Sequence, residues 1–142
     1  MAQVDFYILS SASAPAYLGF CVRLLNKAVQ QAQTSFVFSP DAALRQQLDE
    51  LLWTFDDRSF VPHQTDTDSI HPDCPIYLGK QLPELHFDIL VNLDQAVPSF
   101  YNQFDRVIEI VDNRDTHKAQ GRERFKFYRQ HGCQPNTHTI NG

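Results

Sequence analysis

The chain has 142 residues, of which 42% are hydrophobic and 20% charged, and this composition predicts one globular domain with its own core. No apolar run approaches the roughly eighteen residues of a membrane span, and the N-terminus lacks the basic region of a secretory signal. Three widely spaced cysteines, Cys21, Cys74 and Cys133, argue against a disulfide framework and favour the reducing cytoplasm.

Strands and helices alternate in the first part of the chain. The apolar run at residues 4–9 predicts a buried strand, and the pattern that follows predicts an amphipathic helix ending near residue 33. Residues 35–39 predict a second strand, and a stripe of leucines between 44 and 52 predicts a second helix. This order predicts an α/β fold with a parallel sheet and right-handed crossovers.

The later elements are predicted from shorter patterns. Strands are expected at residues 76–79, 87–93 and 105–111, with one or two helical turns at 98–104. In the last strand Glu109 alternates with apolar residues, which predicts a face that is not uniformly covered. Residues 60–62 predict a short strand, polar residues 64–75 predict a mobile surface loop, and residues 133–142 predict an extended tail.

Charge is distributed unevenly along the chain. Residues 1–113 contain six Lys or Arg against fifteen Asp or Glu, whereas residues 114–142 contain six against two. All six basic residues of the second part lie within RDTHKAQGRERFKFYR at 114–129. An acidic body with one basic, aromatic segment suggests an anionic partner.

The basic segment has a helical pattern, with Asp115 or Thr116 as the expected cap and Gly132 as the expected C-terminal glycine. Spacings of four, three and four place one set of side chains on a single face. That set is Lys118, Arg122, Phe125 and Arg129. Two interpretations remain open: a solvated surface helix, or a docking face in which cations surround an aromatic side chain and bind carboxylates or phosphates.

Motifs for nucleotides, metals and catalysis are weak or absent. The first turn, SSASAPAY, has no glycine, and neither G-x-G-x-x-G nor G-x-x-x-x-G-K-[ST] occurs in the chain. His63, His71 and Cys74 have a plausible local spacing for a metal, but a fourth ligand is missing nearby and we favour a loop without metal. Cys21 is interpreted as a small core residue, and no residue is a convincing catalytic candidate. We expect no cofactor.

A second aromatic stretch follows the second helix. Trp53, Phe55, Phe60 and Pro62 fall within ten positions and are flanked by two aspartates. These side chains either cap the end of the sheet or form an exposed patch for a second protein partner. This set is called the aromatic surface below.

Three stretches together resemble the chi-subunit family of bacterial DNA polymerase III holoenzyme. They are LDELLWTFDDRSFVPH at 48–63, FDILVNL at 87–93, and FDRVIEIVD followed by GRERFKFYRQHG within 104–132. The resemblance implies a single Rossmann-like three-layer domain over residues 1–142 that lacks a phosphate-binding loop. It also implies a non-enzymatic subunit of the replication machinery.

The resemblance further implies two binding surfaces. One accepts the acidic C-terminal tail of single-stranded DNA-binding protein at Val111, Lys118, Arg122, Phe125 and Arg129. The other binds the psi subunit, which links chi to the clamp-loader complex; its matching positions are Trp53, Phe60 and Pro62. Contact with DNA would be indirect, and no membrane would be involved.

Two competing hypotheses come from other classes of protein. The basic helix could bind single-stranded DNA directly, with Phe125, Phe127 and Tyr128 as stacking platforms. Alternatively, a Rossmann-like core could carry a nucleotide-dependent enzyme. The acidic body argues against the first hypothesis, and the missing glycine motifs argue against the second.

Overall fold

The structure, a computed structural model, describes residues 2–54, 63–65 and 74–140. The described part contains seven strands, three α-helices and one 3₁₀ turn. In chain order they are β1 (Gln3–Leu9), α1 (Ala14–Gln30), β2 (Ser35–Phe38), α2 (Ala42–Thr54), β3 (His63–Thr65), β4 (Ile76–Gly79), β5 (Ile89–Asn92), the 3₁₀ turn Tyr101–Gln103, β6 (Arg106–Val111), α3 (Asp115–Gln130) and β7 (Asn136–Ile140).

All seven strands form one sheet in the order β3-β4-β2-β5-β6-β1-β7, and every neighbouring pair is parallel. Helices α1 and α2 pack on one face of the sheet, and α3 packs on the other with the 3₁₀ turn. The prediction of a three-layer α/β domain with a mostly parallel sheet is therefore confirmed. No helix in the described part of the chain is long and apolar enough to cross a membrane.

Alternate residues of each central strand enter two separate cores, as the period-2 geometry of a strand requires. On β1, Leu9 joins the core beneath α1 and α2, while Phe6 joins the core beneath α3. Strands β2, β4 and β5 are buried at every position, which is typical of parallel strands covered on both faces. The α3 face is rich in aromatic rings, and Phe36 lies near its centre.

The prediction of a mobile surface loop at residues 64–75 is wrong at both ends of that range. Gln64 and Thr65 belong to β3, which pairs in parallel with β4 and forms one edge of the sheet. Cys74 is buried, and its Sγ donates a hydrogen bond to Ile76 O at 3.0 Å. The remaining positions of that loop, and the short strand predicted at 60–62, lie outside the described residues.

The prediction of an extended tail at residues 133–142 is also wrong, because half of that range is a strand of the sheet. Asn136–Ile140 forms β7, which pairs in parallel with β1. His138 anchors it, since its Nε2 lies 3.0 Å from the buried carboxylate of Asp5 and its ring stacks on Tyr7 at 4.9 Å. Its exposed polar residues reflect an edge strand with one neighbouring strand.

The expected start of the basic helix needs correction. Arg114 occupies the N-cap position without a side-chain capping bond, and neither Asp115 nor Thr116 caps the helix. Asp112 directly follows β6, and its carboxylate accepts a hydrogen bond from the Arg114 backbone N–H at 3.1 Å. This bond anchors the start of the helix. The predicted glycine at the C-terminal end of α3 is confirmed, because Gly132 has a φ of 87°, the left-handed conformation typical of a glycine that ends a helix.

Candidate peptide-binding cleft

An open cleft lies between α3 and the strands β1 and β6. Its volume is about 230 Å³, and it is lined mainly by apolar atoms. The lining residues are Phe6, Ile8, Val111, Lys118, Gly121, Arg122 and Phe125. We call this feature the α3 cleft. It brings together four of the five residues predicted for a tail site, namely Val111, Lys118, Arg122 and Phe125.

The cleft exists because α3 approaches β6 closely at one point. A Cβ atom placed on Gly121 would lie 2.7 Å from Val111 Cγ2, so only glycine fits there without a shift. Helical spacing then places Lys118, Arg122 and Phe125 around Gly121. Phe125 is half-buried, and its ring meets Phe6 edge-to-face at 5.3 Å. This contact holds the aromatic wall of the cleft in place.

Positive charge borders the apolar floor. Arg122 is exposed and makes no hydrogen bond or ion pair with any residue that the structure describes. Lys118 Nζ lies 3.7 Å from the fully exposed Asp115, a contact that is weak in water. Arg129 is exposed on α3 outside the lining of the cleft. The arrangement suits a ligand with an apolar group and an adjacent carboxylate.

A buried polar network fixes α3 on the sheet. The carboxylate of Glu109 is fully buried and accepts hydrogen bonds from Arg124 Nε at 2.8 Å, Tyr128 Oη at 2.6 Å and Asn92 Nδ2 at 2.9 Å. Burial raises the pKa of Glu109, while Arg124, Tyr128 and Asn92 act in the opposite direction. The prediction that this face of β6 is incompletely covered is therefore wrong: α3 covers it and supplies the partners of its one acid.

Sequence reasoning missed part of the cleft. Phe6 and Ile8 of β1 form its floor together with Val111. They share a strand face because they are two positions apart, so the signal was present in the sequence. Their place beside α3 depends on the β1–β6 pairing, which joins residues about a hundred positions apart. That pairing cannot be obtained from local patterns.

The aromatic surface is described only in part. Trp53, in the last turn of α2, has 57% of its surface exposed, and its ring lies 5.1 Å from that of His63. Phe55, Phe60 and Pro62 lie outside the described residues. Both hypotheses for this stretch, a docking surface and a sheet cap, therefore stay predictions.

The described cysteines show no sign of reactivity. All three cysteines are buried and free, and burial raises the pKa of Cys21 to about 12, which keeps it protonated. His63 Nε2 lies 2.9 Å from Asp49 Oδ1, and His71 lies outside the described residues.

One group of side chains in the described part has metal-ligand spacing. The ligand atoms of His86, Asp88 and Asp105 lie within 4.8 Å of one another. Asp88 already accepts hydrogen bonds from the backbone and hydroxyl of Thr34, at 2.9 and 3.1 Å, which join the start of β5 to that of β2. These bonds give Asp88 a structural role, so the spacing alone does not identify a metal site.

The parallel sheet and the cation-bordered apolar cleft define a small α/β protein with a Rossmann-like fold. A sequence model described as "DNA polymerase III chi subunit, HolC" matches residues 1–136. The chain belongs to this family. Its members are subunits of DNA polymerase III, which places the chain among replication accessory subunits and confirms the resemblance noted from the sequence.

Three relatives named DNA polymerase III subunit chi match this sequence over almost its full length. The chain is 34% identical to DNA polymerase III subunit chi of Pseudomonas aeruginosa over 140 residues, covering 99% of this chain and 98% of the relative. It is 29% identical to the Haemophilus influenzae subunit, covering 96% of each chain, and 27% identical to that of Escherichia coli, covering 98% and 99%.

Among solved structures, the fold resembles "Mss116p DEAD-box helicase domain 2 bound to an RNA duplex", with a TM-score of 0.65 and 9% sequence identity. The match covers 99% of this chain and 64% of the helicase chain, so the chain spans less than two thirds of that structure. At this identity the likeness establishes the Rossmann-like, helicase-type fold alone.

Proposed function

We propose that this chain is a non-catalytic subunit that bridges two parts of the bacterial replication machinery in the cytoplasm. One surface, the α3 cleft, binds the acidic C-terminal tail of single-stranded DNA-binding protein. The other, the aromatic surface, binds the psi subunit and so attaches the chain to the clamp-loader complex. Contact with DNA is then indirect.

The observation that carries the proposal is the chemistry of the α3 cleft. Its floor is apolar, and Arg122 stands at its border without a protein partner among the described residues. A guanidinium binds a carboxylate through two parallel hydrogen bonds, and a chain terminus offers one carboxylate beside one side chain. An apolar C-terminal residue can therefore fill the cleft while its carboxylate binds Arg122.

Positive charges farther along α3 favour a ligand peptide with acidic residues before its C-terminal residue. Lys118 and Arg129 lie on the same helix as Arg122, and the rest of the chain is strongly acidic. Attraction is thus confined to one helix, which steers an acidic peptide to the cleft. The same confinement argues against single-stranded DNA as the ligand, because a nucleic-acid groove normally extends positive charge along a longer path.

The second surface rests on the exposed Trp53. Tryptophan is enriched among the residues that contribute most to protein interfaces, and the Trp53 ring at the end of α2 is 57% exposed. It is far along the sheet from the α3 cleft: α2 contacts the edge strand β3, whereas the cleft lies over β1 and β6. Two partners can therefore bind at once.

The direct test uses a peptide that ends in acidic residues and one apolar residue. It is titrated into the full chain with a free terminal carboxylate and again with an amidated terminus. We expect amidation to weaken binding by about tenfold or more, because a charge-assisted pair is worth about 1.5–3 kcal/mol. Equal affinities for the two peptides would contradict the proposal. Stoichiometric binding of single-stranded DNA by the chain alone would favour the competing hypothesis.

A further inference from the structure

A larger cavity lies on the other side of α3 from the cleft, at the carboxyl ends of the strands. Its volume is about 400 Å³. It is walled by the N-terminal parts of α1 and α2, by one face of α3 and by the loop after β5. We call it the switch-point cavity. Lining residues that matter here are Tyr17, Leu44, Leu93, Asp94 and Arg124.

The position of the cavity follows from the topology. Strands β1 and β6 are neighbours, yet the helix after β1 covers one face of the sheet and the helix after β6 covers the other. The chain therefore leaves adjacent strands in opposite directions, and a crevice opens outside their carboxyl ends. Ligands of open α/β sheets bind at such switch points.

Tyr17 provides an unused polar group in this crevice. Only 6% of the residue is exposed, and it lines the cavity. Its hydroxyl makes no hydrogen bond with any residue in the described part of the chain. The hydroxyl oxygen itself is not fully buried, so it is open to the cavity, where a ligand can reach it. Burial also raises the pKa of Tyr17, so the hydroxyl remains a donor at neutral pH.

Arg124 adds a second donor beside it. Its Nε donates to Glu109 and its Nη1 donates to Gln95 O at 3.2 Å. Its Nη2 makes no hydrogen bond with any described residue, although the side chain is almost completely buried. Two donors that face one cavity, the Tyr17 hydroxyl and Arg124 Nη2, therefore have no acceptor among the described residues and are open to a ligand.

The charges around the cavity favour a neutral ligand. Arg124 and Arg114 are already paired with the buried carboxylates of Glu109 and Asp112. Burial lowers the pKa of His117, against the opposing effect of Asp112, so its imidazole is neutral at pH 7. No lysine lines the cavity, whereas Asp94 does, and its carboxylate has no partner among the described residues. A phosphate here would meet no unpaired cation from the part of the chain that the structure describes.

We propose that the switch-point cavity binds a nucleoside without its phosphates. The cavity volume falls within the usual range for small-molecule sites, about 300–1,000 Å³. In this proposal the base contacts the apolar side chains of Leu44 and Leu93, and its acceptor atoms bind Tyr17 and Arg124, all of which line the cavity. Asp94 accepts the sugar hydroxyls, as acidic residues do in dinucleotide folds. This site is separate from the α3 cleft and does not depend on the function proposed for it.

The test titrates the four common ribonucleosides, and then their 5′-monophosphates, into the isotope-labelled full chain and follows amide resonances around the cavity. We expect saturable shifts with at least one nucleoside below about 5 mM and weaker binding of its monophosphate. Absence of shifts with all four nucleosides at that concentration would overturn the proposal, as would tighter binding of the monophosphate.

Variants separate recognition from folding. Tyr17→Phe removes one unbonded oxygen, so we expect unchanged thermal stability and about fivefold to tenfold weaker nucleoside binding. Tyr101→Phe removes a hydroxyl remote from the cavity and serves as the matched control, with unchanged affinity expected. Equal affinities of the wild type and Tyr17→Phe would remove Tyr17 from the site and overturn the proposed recognition.

Discussion

Gly121 of α3 and Val111 of β6 lie so close that an added Cβ would come within 2.7 Å of Val111 Cγ2 and 3.1 Å of Cγ1. This contact sets the depth of the α3 cleft, because both residues line it. Valine is stiff at χ1 and is held in a buried strand, so it cannot move aside cheaply. The helix must shift instead.

Gly121→Ala is therefore expected to destabilise the fold even though alanine is the better helix former. The propensity gain of about 1 kcal/mol is opposed by an overpacking cost of about 1–3 kcal/mol. The displaced helix should also weaken binding of an acidic tail peptide. Urea unfolding and a peptide titration measure the two effects.

Gly19→Ala is the matched control within α1. A Cβ on Gly19 would have nothing within 4 Å, so the propensity term acts alone there. We expect this variant to gain about 0.5–1 kcal/mol and to bind the peptide normally. A gain of similar size at Gly121 would show that the close contact does not constrain the helix.

Glu109 and Arg124 form a buried pair that is expected to behave cooperatively. Arg124→Met leaves the carboxylate of Glu109 buried with one donor fewer, and we expect a loss of about 3–5 kcal/mol. Adding Glu109→Gln removes the uncompensated charge and should restore part of that loss. Chemical denaturation of the two single variants and the double variant gives the coupling energy, and additive losses would contradict this account.

The edge strand β7 should make stability depend on pH through Asp5. Burial acts to raise the pKa of Asp5, but hydrogen bonds from His138 and Arg106 outweigh it and hold the pKa below its ordinary 3.8. A lowered pKa in the folded state means that the ionised form stabilises the fold above about pH 4, and that this contribution is lost as the pH falls further.

Asp5→Asn should therefore be less stable than the wild type at pH 7, by about 1.5–3 kcal/mol, the usual value of hydrogen bonds to a charged group. The difference should shrink between about pH 4 and pH 2. Urea unfolding at a series of pH values provides the measurement. A constant difference across that interval would show that the charge of Asp5 does not support the fold.

Trp53→Ala tests the second proposed surface. We expect it to weaken binding of the psi subunit by about 2 kcal/mol or more, because exposed tryptophans contribute strongly to interfaces. Binding of the tail peptide should be unchanged, since Trp53 lies on α2 and the cleft lies under α3. Co-purification with psi and a peptide titration provide the two measurements. Loss of both activities together would indicate misfolding and not a separate surface.

Local patterns were sufficient for most of the fold. The central strands and the first two helices follow from apolar periodicity, the basic helix α3 follows from the helical spacing of its charged and aromatic residues, and Gly132 correctly ends α3. The polar strand β7 could not be recognised, because an exposed edge strand such as NTHTI has no apolar face. It is a strand because β1, about 130 residues earlier in the chain, offers an unpaired edge. Strand pairing over such distances has no local signal.

The helix residues of the α3 cleft were predictable from the sequence, whereas its strand residues were not. Helical spacing identified Lys118, Arg122 and Phe125, which share one face of α3. Glu109 was misinterpreted, because an acid within a strand usually faces solvent. Here Arg124 and Tyr128 reach it from another element, and only their positions in space make its burial possible. The strand floor of the cleft likewise required the β1–β6 pairing.

The central claim is that Arg122 captures a peptide carboxylate at the α3 cleft. Titration of an acidic tail peptide into the wild type, Arg122→Ala and Lys126→Ala tests it most directly, because Lys126 is a cation of the same helix that does not line the cleft. We expect Arg122→Ala to lose about 2 kcal/mol of affinity and Lys126→Ala to lose about 0.5 kcal/mol or less. Equal affinities of Arg122→Ala and the wild type would contradict the claim.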